Sequence, residues 1–251
     1  MNEPRACPDC LRRGWLLAHL APYIERALSG TSGLLATELL GLSSADLATA
    51  VAPEVAEQVL TQASVVPESR LRADLIAAQC WATCRHDDRY PAGLRTASGA
   101  PWALIGRGDP VRLCRLEPRA SVAVVGSRRA TSYGRAVARE LGRDLAREGV
   151  VVISGLAFGI DGCAHRGALE AGSTVAVLGC GPDVAYPASH RALWRQVAER
   201  GLVLSELPPG TGPWRWTFPV RNRIVAGLCG MTVVVEAAKR SGSMITANLE
   251  A

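Results

Sequence analysis

The stretch SVAVVGSRRATSYGRAVARELGRDLARE, from Ser121 to Glu148, reads as an apolar strand, a Gly-Ser-Arg turn and a helix. Val122 to Val125 form a short continuous apolar run of β-branched character, the pattern of a strand buried on both faces of a parallel sheet. The strand is expected to end at Gly126. From Thr131 onward Tyr133, Val137, Leu141 and Leu145 recur every four residues and share one helical face, with Arg and Glu on the other. Such a unit aims backbone N–H groups and the positive end of the helix dipole at whatever lies above the turn, an arrangement that suits phosphate. Arg128, within the turn, adds a fixed positive charge. The stretch therefore reads as a phosphate site.

The surrounding chain sets limits on whose phosphate is read. With 251 residues, 48% of them hydrophobic, there is room for one large domain and a small one, each with a core. No apolar run approaches the roughly 18 residues of a membrane helix. The opening MNEPRACPDCLRRGW lacks the charged-then-apolar pattern of a leader, so a cytoplasmic protein is expected. The formal charge of +5 is carried almost entirely by arginine, with Lys239 the sole lysine in an alanine-rich chain. Bulk charge is therefore weak support for nucleic-acid binding, and the placement of individual arginines matters more.

Eight cysteines are present. Cys114, Cys163, Cys180 and Cys229 lie in apolar contexts and read as small core residues of a reduced protein. Cys7 and Cys10 form a C-x-x-C pair, and Cys84 with His86 forms a C-x-H pair. If the N-terminus folds back, these four could bind zinc tetrahedrally; scattered free thiols are the favoured reading, and no metal or cofactor is expected.

Residues 1–80 read as a small helical domain. Leu16, Leu17, Leu20, Ile24 and Leu28 line one face of a helix from Leu11 to Leu28, broken at Gly30. A second helix covers Leu34 to Leu40, Ser43 or Ser44 caps a third through Ala50, Pro53 opens the next pattern, and Leu71 to Cys80 closes the region. Such bundles sometimes hold DNA backbone, but packing or protein contact is their commoner use. Between Trp81 and Pro118 turn signals surround a short strand candidate, Trp102 to Ile105, which reads as an adaptor laying extra strands beside a main sheet.

From Ser121 the alternation is regular. Strands at Val150 to Ile153, Thr174 to Leu178, Leu202 to Leu204 and Met231 to Val235 are separated by helices at about Asp161 to Ala171 and Ser189 to Arg200, and by one after a Pro-rich loop. This predicts an α/β fold with a mainly parallel sheet over residues 81–251, whose ligands bind beyond the strands' carboxyl ends. That edge collects Gly126-Ser127-Arg128, Ser154-Gly155-Leu156-Ala157, Gly179 to Asp183, Ser205-Glu206, and Glu236 with Ser241-Gly242-Ser243. Strand-ending glycines and capping serines explain many of these positions. They do not explain Arg128 or the cluster Trp214 to Arg223. Arginine beside a stacking aromatic suits single-stranded nucleic acid, although Trp216 and Phe218 each read equally well as core rings.

The motifs VAVVGSR, SGLAFGIDGCAHRGAL, TVAVLGCGPDVAYPASH, SELPPG, FPVRNRIVAGL and VVVEAAKRSGSMITA, in that order, resemble the DNA-processing protein A family (DprA, also called Smf). The resemblance covers essentially Ser121 to Ala251. It implies an extended Rossmann-like sheet preceded by a small sterile-alpha-motif-like (SAM-like) helical domain, here matched by position and length alone. It also implies a cytoplasmic single-stranded DNA-binding homodimer, not an enzyme, that loads the RecA recombinase during natural transformation. Carried over, Arg128 would take a backbone phosphate with Ser127 and the turn amides beside it. Arg215 would approach the DNA and Phe218 a base, Asn222 and Arg223 would complete or brace that wall, and Gly155 to Gly159 would form the opposing glycine loop. Asp161 and His165 would cap and orient that loop rather than act as acid or base. The chain ends inside the last family motif, so it reads as C-terminally incomplete.

Two other classes are less well matched. A nucleotide enzyme of the phosphoribohydrolase type carries P-G-G-x-G-T followed by paired glutamates, whereas this chain has Arg240-Ser241-Gly242-Ser243 with Glu236 alone before it. A nicotinamide dehydrogenase needs G-x-G-x-x-G after the first strand, which is missing. A module holding a small phosphate metabolite would differ from a DNA binder in its weak salt dependence.

Overall fold

Ser121–Gly126 pairs in parallel register with Val151–Ser154 on one side and Met231–Val235 on the other, so this strand lies inside a sheet, as its apolar run requires. The computed structural model describes residues 5–29, 33–97 and 99–237. Five helices come first: α1 (Pro8–Ala27), α2 (Gly33–Gly41), α3 (Ser44–Val51), α4 (Ala56–Val65) and α5 (Glu68–Ala77). Then follow β1 (Trp81–Cys84), α6 (Ala92–Arg95), β2 (Ala103–Gly108) and α7 (Val111–Cys114). The alternating part runs β3 (Ser121–Gly126), α8 (Ser132–Arg147), β4 (Val151–Ser154), α9 (Ile160–Ala171), β5 (Thr174–Val177), α10 (Arg191–Arg200), β6 (Leu202–Ser205), α11 (Thr217–Gly227) and β7 (Met231–Val235). The expected helix break at Gly30 and the segment Ser241 to Ser243 lie outside the described residues.

One seven-stranded sheet has the order β1-β2-β6-β5-β4-β3-β7. The five strands from β6 to β7 are parallel, and β2 and then β1 extend the β6 side in antiparallel pairing. The fold is thus α/β with a mainly parallel sheet. Alternate strand residues feed opposite faces. Ala123, Val125, Ile153, Val175 and Val177 pack with Leu94, Leu113, Ile224 and Val225. Val124 and Val152 meet Ala138, Ala164 and Ala168, and Ala176 and Val203 meet Leu193 and Val197. Helices α8, α9 and α10 therefore cover one face, and α6, α7 and α11 the other.

The inward face of α8 differs from the sequence expectation. Its buried residues are Gly134, Ala138, Gly142 and Ala146, while Tyr133 of the bulky stripe is 80% exposed. Close approach to α9 is the reason. A methyl group on Gly142 would stand 2.3 Å from the Ala164 carbonyl oxygen, and one on Gly167 would stand 1.9 Å from that of Arg139. Only small residues fit between backbones at that separation, so Leu141 and Leu145 flank the seam, half-buried.

The helical segment closes on itself and on the sheet. Leu16, Leu20, Ile24 and Leu47 share a core with Leu207, Trp216 and Val220, and the Trp216 indole donates to the Ala21 carbonyl at 3.2 Å. Ser43 caps α3, accepting from the Asp46 N–H at 3.1 Å. Of the cysteines read as core residues, Cys180 and Cys229 are buried, Cys163 is half-buried and Cys114 is exposed, on the short helix α7. No described helix is long and apolar enough to cross a membrane.

Candidate functional site

The loops beyond β3, β4, β5 and β6 meet at the carboxyl edge, where sheets of this type bind ligands. The turn after β3 is more occupied than its sequence suggests. Ser127 N–H donates to the Glu236 carbonyl at 2.8 Å, and Ser127 Oγ accepts from the Arg129 N–H at 3.1 Å. The Glu236 carboxylate receives the Thr131 N–H at 3.0 Å and the Thr131 hydroxyl at 2.7 Å, while Thr131 Oγ caps Gly134 N–H at 3.0 Å. An anion from the far end of β7 already complements the head of α8. Ser127, Arg129 and Thr131 spend their amides within the fold, so these three N–H groups are already engaged beside the position where a phosphate was expected. The turn presents the exposed side chains of Arg128 and Arg129 to solvent.

The loop after β4 is a packing device. Gly155 N–H and Ala157 N–H both donate to Asp161 Oδ2, at 3.1 and 3.4 Å. Leu156, fully buried, takes φ 57°, and Gly159 takes φ 75°. A methyl group on Gly159 would stand 2.1 Å from the Ser127 carbonyl oxygen, so this glycine lets the β3 and β4 loops touch. A methyl group on Gly155 would stand 1.9 Å from the Arg221 guanidinium. Asp161 orients this loop, as the motif implied; burial raises its carboxyl pKa against the opposing pull of Arg221 and the two amides.

His165 has a different place from the one expected. Its Nδ1 lies 2.8 Å from Thr174 Oγ1, whose own proton goes to the Val152 carbonyl at 2.6 Å. Nδ1 must therefore carry the hydrogen and donate. The ring sits in the core beneath the loop, and burial followed by the charge of Arg221 pushes its pKa down to about 3. A ring held neutral with Nδ1 occupied is poorly suited to acid or base work.

The F-P-V-R-N-R segment turns two arginines inward. Arg223 is 3% exposed; its Nη2 donates to both oxygens of Glu206 at 2.7 Å, Nε to the Gly99 carbonyl at 2.6 Å and Nη1 to the Val220 carbonyl at 3.0 Å. Of completing or bracing the wall, bracing is what this geometry performs. Arg221, which the sequence placed in this cluster without a role of its own, is also buried and donates to the Val177 carbonyl. Asn222 is half-buried between them and Arg215 is exposed.

The exposed chemistry of the edge is a cation on a set of rings. Arg128 Cζ lies 5.2 Å from the centroid of the Phe218 ring, and the Tyr186 ring centroid lies 5.4 Å from that of Phe218, the two rings tilted by 36°. Tyr186 is 42% exposed, and Phe158, from the β4 loop, is 49% exposed and makes an edge-type contact with the His190 ring at 5.3 Å. Trp216 is buried, so it takes the core reading. Tyr186 and Phe158 were missed in the sequence; their signal is an aromatic beside Gly or Pro in a loop that follows a strand, where nothing requires a ring for packing.

The sequence profile described as DNA recombination-mediator protein A matches residues 81–251. The chain belongs to that family. A Mycobacterium tuberculosis relative carrying the DprA name is 51% identical over 147 residues, which cover 58% of this chain and 36% of the relative. The Bacillus subtilis DNA processing protein DprA is 38% identical over 160 residues, covering 63% of this chain and 53% of that one. The match thus spans less than two thirds of these relatives' length. Among solved structures, DNA processing protein A from Streptococcus pneumoniae superposes with a TM-score of 0.69 at 34% identity, covering 90% of this chain and 80% of that one. The Helicobacter pylori family member, described for its single-stranded DNA binding mode, gives 0.61 at 32% identity over 68% of this chain and 75% of that chain.

Within this family frame Arg128, Arg215 and Tyr186 are exposed and Phe218 is half-buried, whereas the buried Asp161, Arg221 and Arg223, with the half-buried Gly155 and Gly159, set the loops that hold them. Glu236, the lone acidic residue weighed against an enzyme's glutamate pair, is engaged with Thr131.

Proposed function

We propose that this chain binds single-stranded DNA, without sequence preference, across the carboxyl edge of its sheet. Arg128 and Arg215 take backbone phosphates, and Phe218 and Tyr186 offer faces to bases. Ser127 lends its hydroxyl, and Asn222 lies at the foot of the same wall. The observation that carries this reading is the Arg128 guanidinium held over the Phe218 ring with a second ring alongside. Charge for a backbone next to a flat apolar face is what a strand without base pairing requires. A small phosphate metabolite would be better served by free turn amides, and here several are already bonded.

On the strength of the family, the protein acts in the cytoplasm as a homodimeric mediator rather than an enzyme, and it loads RecA onto incoming strands in natural transformation. The test is a fluorescence-anisotropy titration of a labelled strand of about 30 nucleotides at two salt concentrations, with duplex as competitor. Tight binding that weakens steeply with salt and resists duplex supports the proposal. Binding of a nucleotide in preference to the strand, with little salt dependence, overturns it.

A further inference from the structure

At the β1 margin of the sheet the N-terminus does fold back. Arg5 and Ala6 donate their N–H groups to the Ala82 carbonyl at 2.7 and 3.0 Å, which sets the start of α1 beside the end of β1. Cys7 is the N-cap of α1, Cys10 sits in its first turn, Cys84 ends β1 and His86 follows two residues later. One side-chain atom from each of the four lies within 4.8 Å of all the others, so the reading of these cysteines as scattered thiols is corrected.

The spacings match a shared ion. His86 Nδ1 stands 3.4 Å from Cys7 Sγ, 3.5 Å from Cys10 Sγ and 3.9 Å from Cys84 Sγ. A tetrahedral zinc with Zn–S of about 2.3 Å and Zn–N of about 2.0 Å places sulfur and nitrogen about 3.5 Å apart. Hydrogen bonding does not account for the cluster, because one ring nitrogen offers one lone pair or one hydrogen and three sulfurs converge on it. The surroundings suit thiolates as well. Cys7 N–H points at Cys84 Sγ at 3.4 Å, and the head of α1 places its dipole on Cys7 and Cys10.

We propose that Cys7, Cys10, Cys84 and His86 Nδ1 hold one zinc ion in a closed, structural site. Three thiolates and one imidazole in tetrahedral array select zinc among common divalent ions, and four protein ligands leave no position for substrate. Binding releases the three thiol protons to solvent, with no change of oxidation state. The ion fastens the first turn of α1 to the margin of the sheet, beside the small core of Ala6, Leu11, Leu75 and Ile105.

The test is metal analysis of the untagged chain purified without added metal, together with cobalt titration of chelator-treated protein. The expected result is about one zinc per chain and a tetrahedral thiolate spectrum with cobalt. His86→Ala, at an exposed ligand, weakens retention against a chelator, and Cys84→Ser combined with His86→Ala abolishes it. Cys114→Ser, at an exposed cysteine outside the cluster, leaves it unchanged. Less than about a tenth of an equivalent of zinc with no cobalt spectrum overturns the proposal. So does a Cys7–Cys10 disulfide in freshly purified protein, or full metal retention by the double variant. None of these readouts depends on DNA binding.

Discussion

Arg223 Nη2 bonds both carboxylate oxygens of Glu206 at 2.7 Å, while Nε and Nη1 of the same guanidinium hold the carbonyls of Gly99 and Val220. The pair joins the end of β6 to the helix that carries Phe218, so it fixes where the proposed stacking wall stands. Both side chains are almost out of water, and removing one partner leaves the other as an uncompensated buried charge. Glu206→Ala and Arg223→Met should each cost about 3–5 kcal/mol in urea unfolding. Joint replacement by Leu and Met should recover much of that loss. An Arg223→Met protein of ordinary stability that no longer binds a strand would make Arg223 a DNA contact instead of a brace.

Arg128 and Phe218 should fail in different ways. Arg128→Ala removes a charge from the edge and none from the core. Strand affinity should fall by about 1.5–3 kcal/mol, and the salt dependence should become shallower by about one counterion. Phe218→Ala should lose about 1–3 kcal/mol with the salt slope kept, because stacking releases no ions. Since the guanidinium rests on the ring, the two losses should not add in a double-mutant cycle. Strict additivity would mean that the strand meets the two residues separately.

The alternating unit was legible in the sequence because its strands are short apolar runs, most of them closed by Gly or Ser within two residues, and β3, β4, β5, β6 and β7 fall within a residue of expectation. Arg128 stood out because a charge in a strand-ending turn has no structural need. What stayed hidden depends on a distant partner. Glu236 meets Thr131 across 105 residues of sequence, and Arg223 meets Gly99 across 124. No local pattern marks either pair, so the sequence left Arg223 either completing the wall or bracing it, while both arginines of F-P-V-R-N-R bond carbonyls. The inner face of α8 was misread for a related reason. Periodicity finds the bulky stripe, but the depth of the α8–α9 seam is set by which residues α9 brings opposite.

Gly142 tests that seam by the sign of its effect. In an exposed helix Gly→Ala stabilises by about 0.5–1 kcal/mol. Here the added methyl would press on the Ala164 carbonyl at 2.3 Å, and a backbone atom cannot swing aside as a side-chain tip can. Gly142→Ala should therefore destabilise by about 1–3 kcal/mol in equilibrium unfolding. A stabilised variant would show that α8 and α9 pack farther apart.

His165 should make stability depend on pH in a definite direction. Its pKa is pushed from an ordinary 6.5 down to about 3 by burial first, and then by the charges of Arg221, His190 and Arg166. The unfolded chain takes up a proton below about pH 6.5 that the folded chain refuses. The contribution is thus fully present above that pH and is lost progressively as pH falls toward 3, by about 1.4 kcal/mol per pH unit once well below 6.5. His190, also lowered by burial while its Nδ1 donates to the Leu156 carbonyl at 3.0 Å, acts in the same sense. Ionised carboxylates add their own slopes, so the informative quantity is a difference between two proteins. His165→Asn keeps an N–H donor for Thr174 and cannot titrate, so it should lose stability by a constant amount and show a shallower fall between pH 7.5 and pH 5. Parallel unfolding curves for the two proteins across that range would mean that His165 takes up its proton in the folded state, and that the core around Thr174 admits charge.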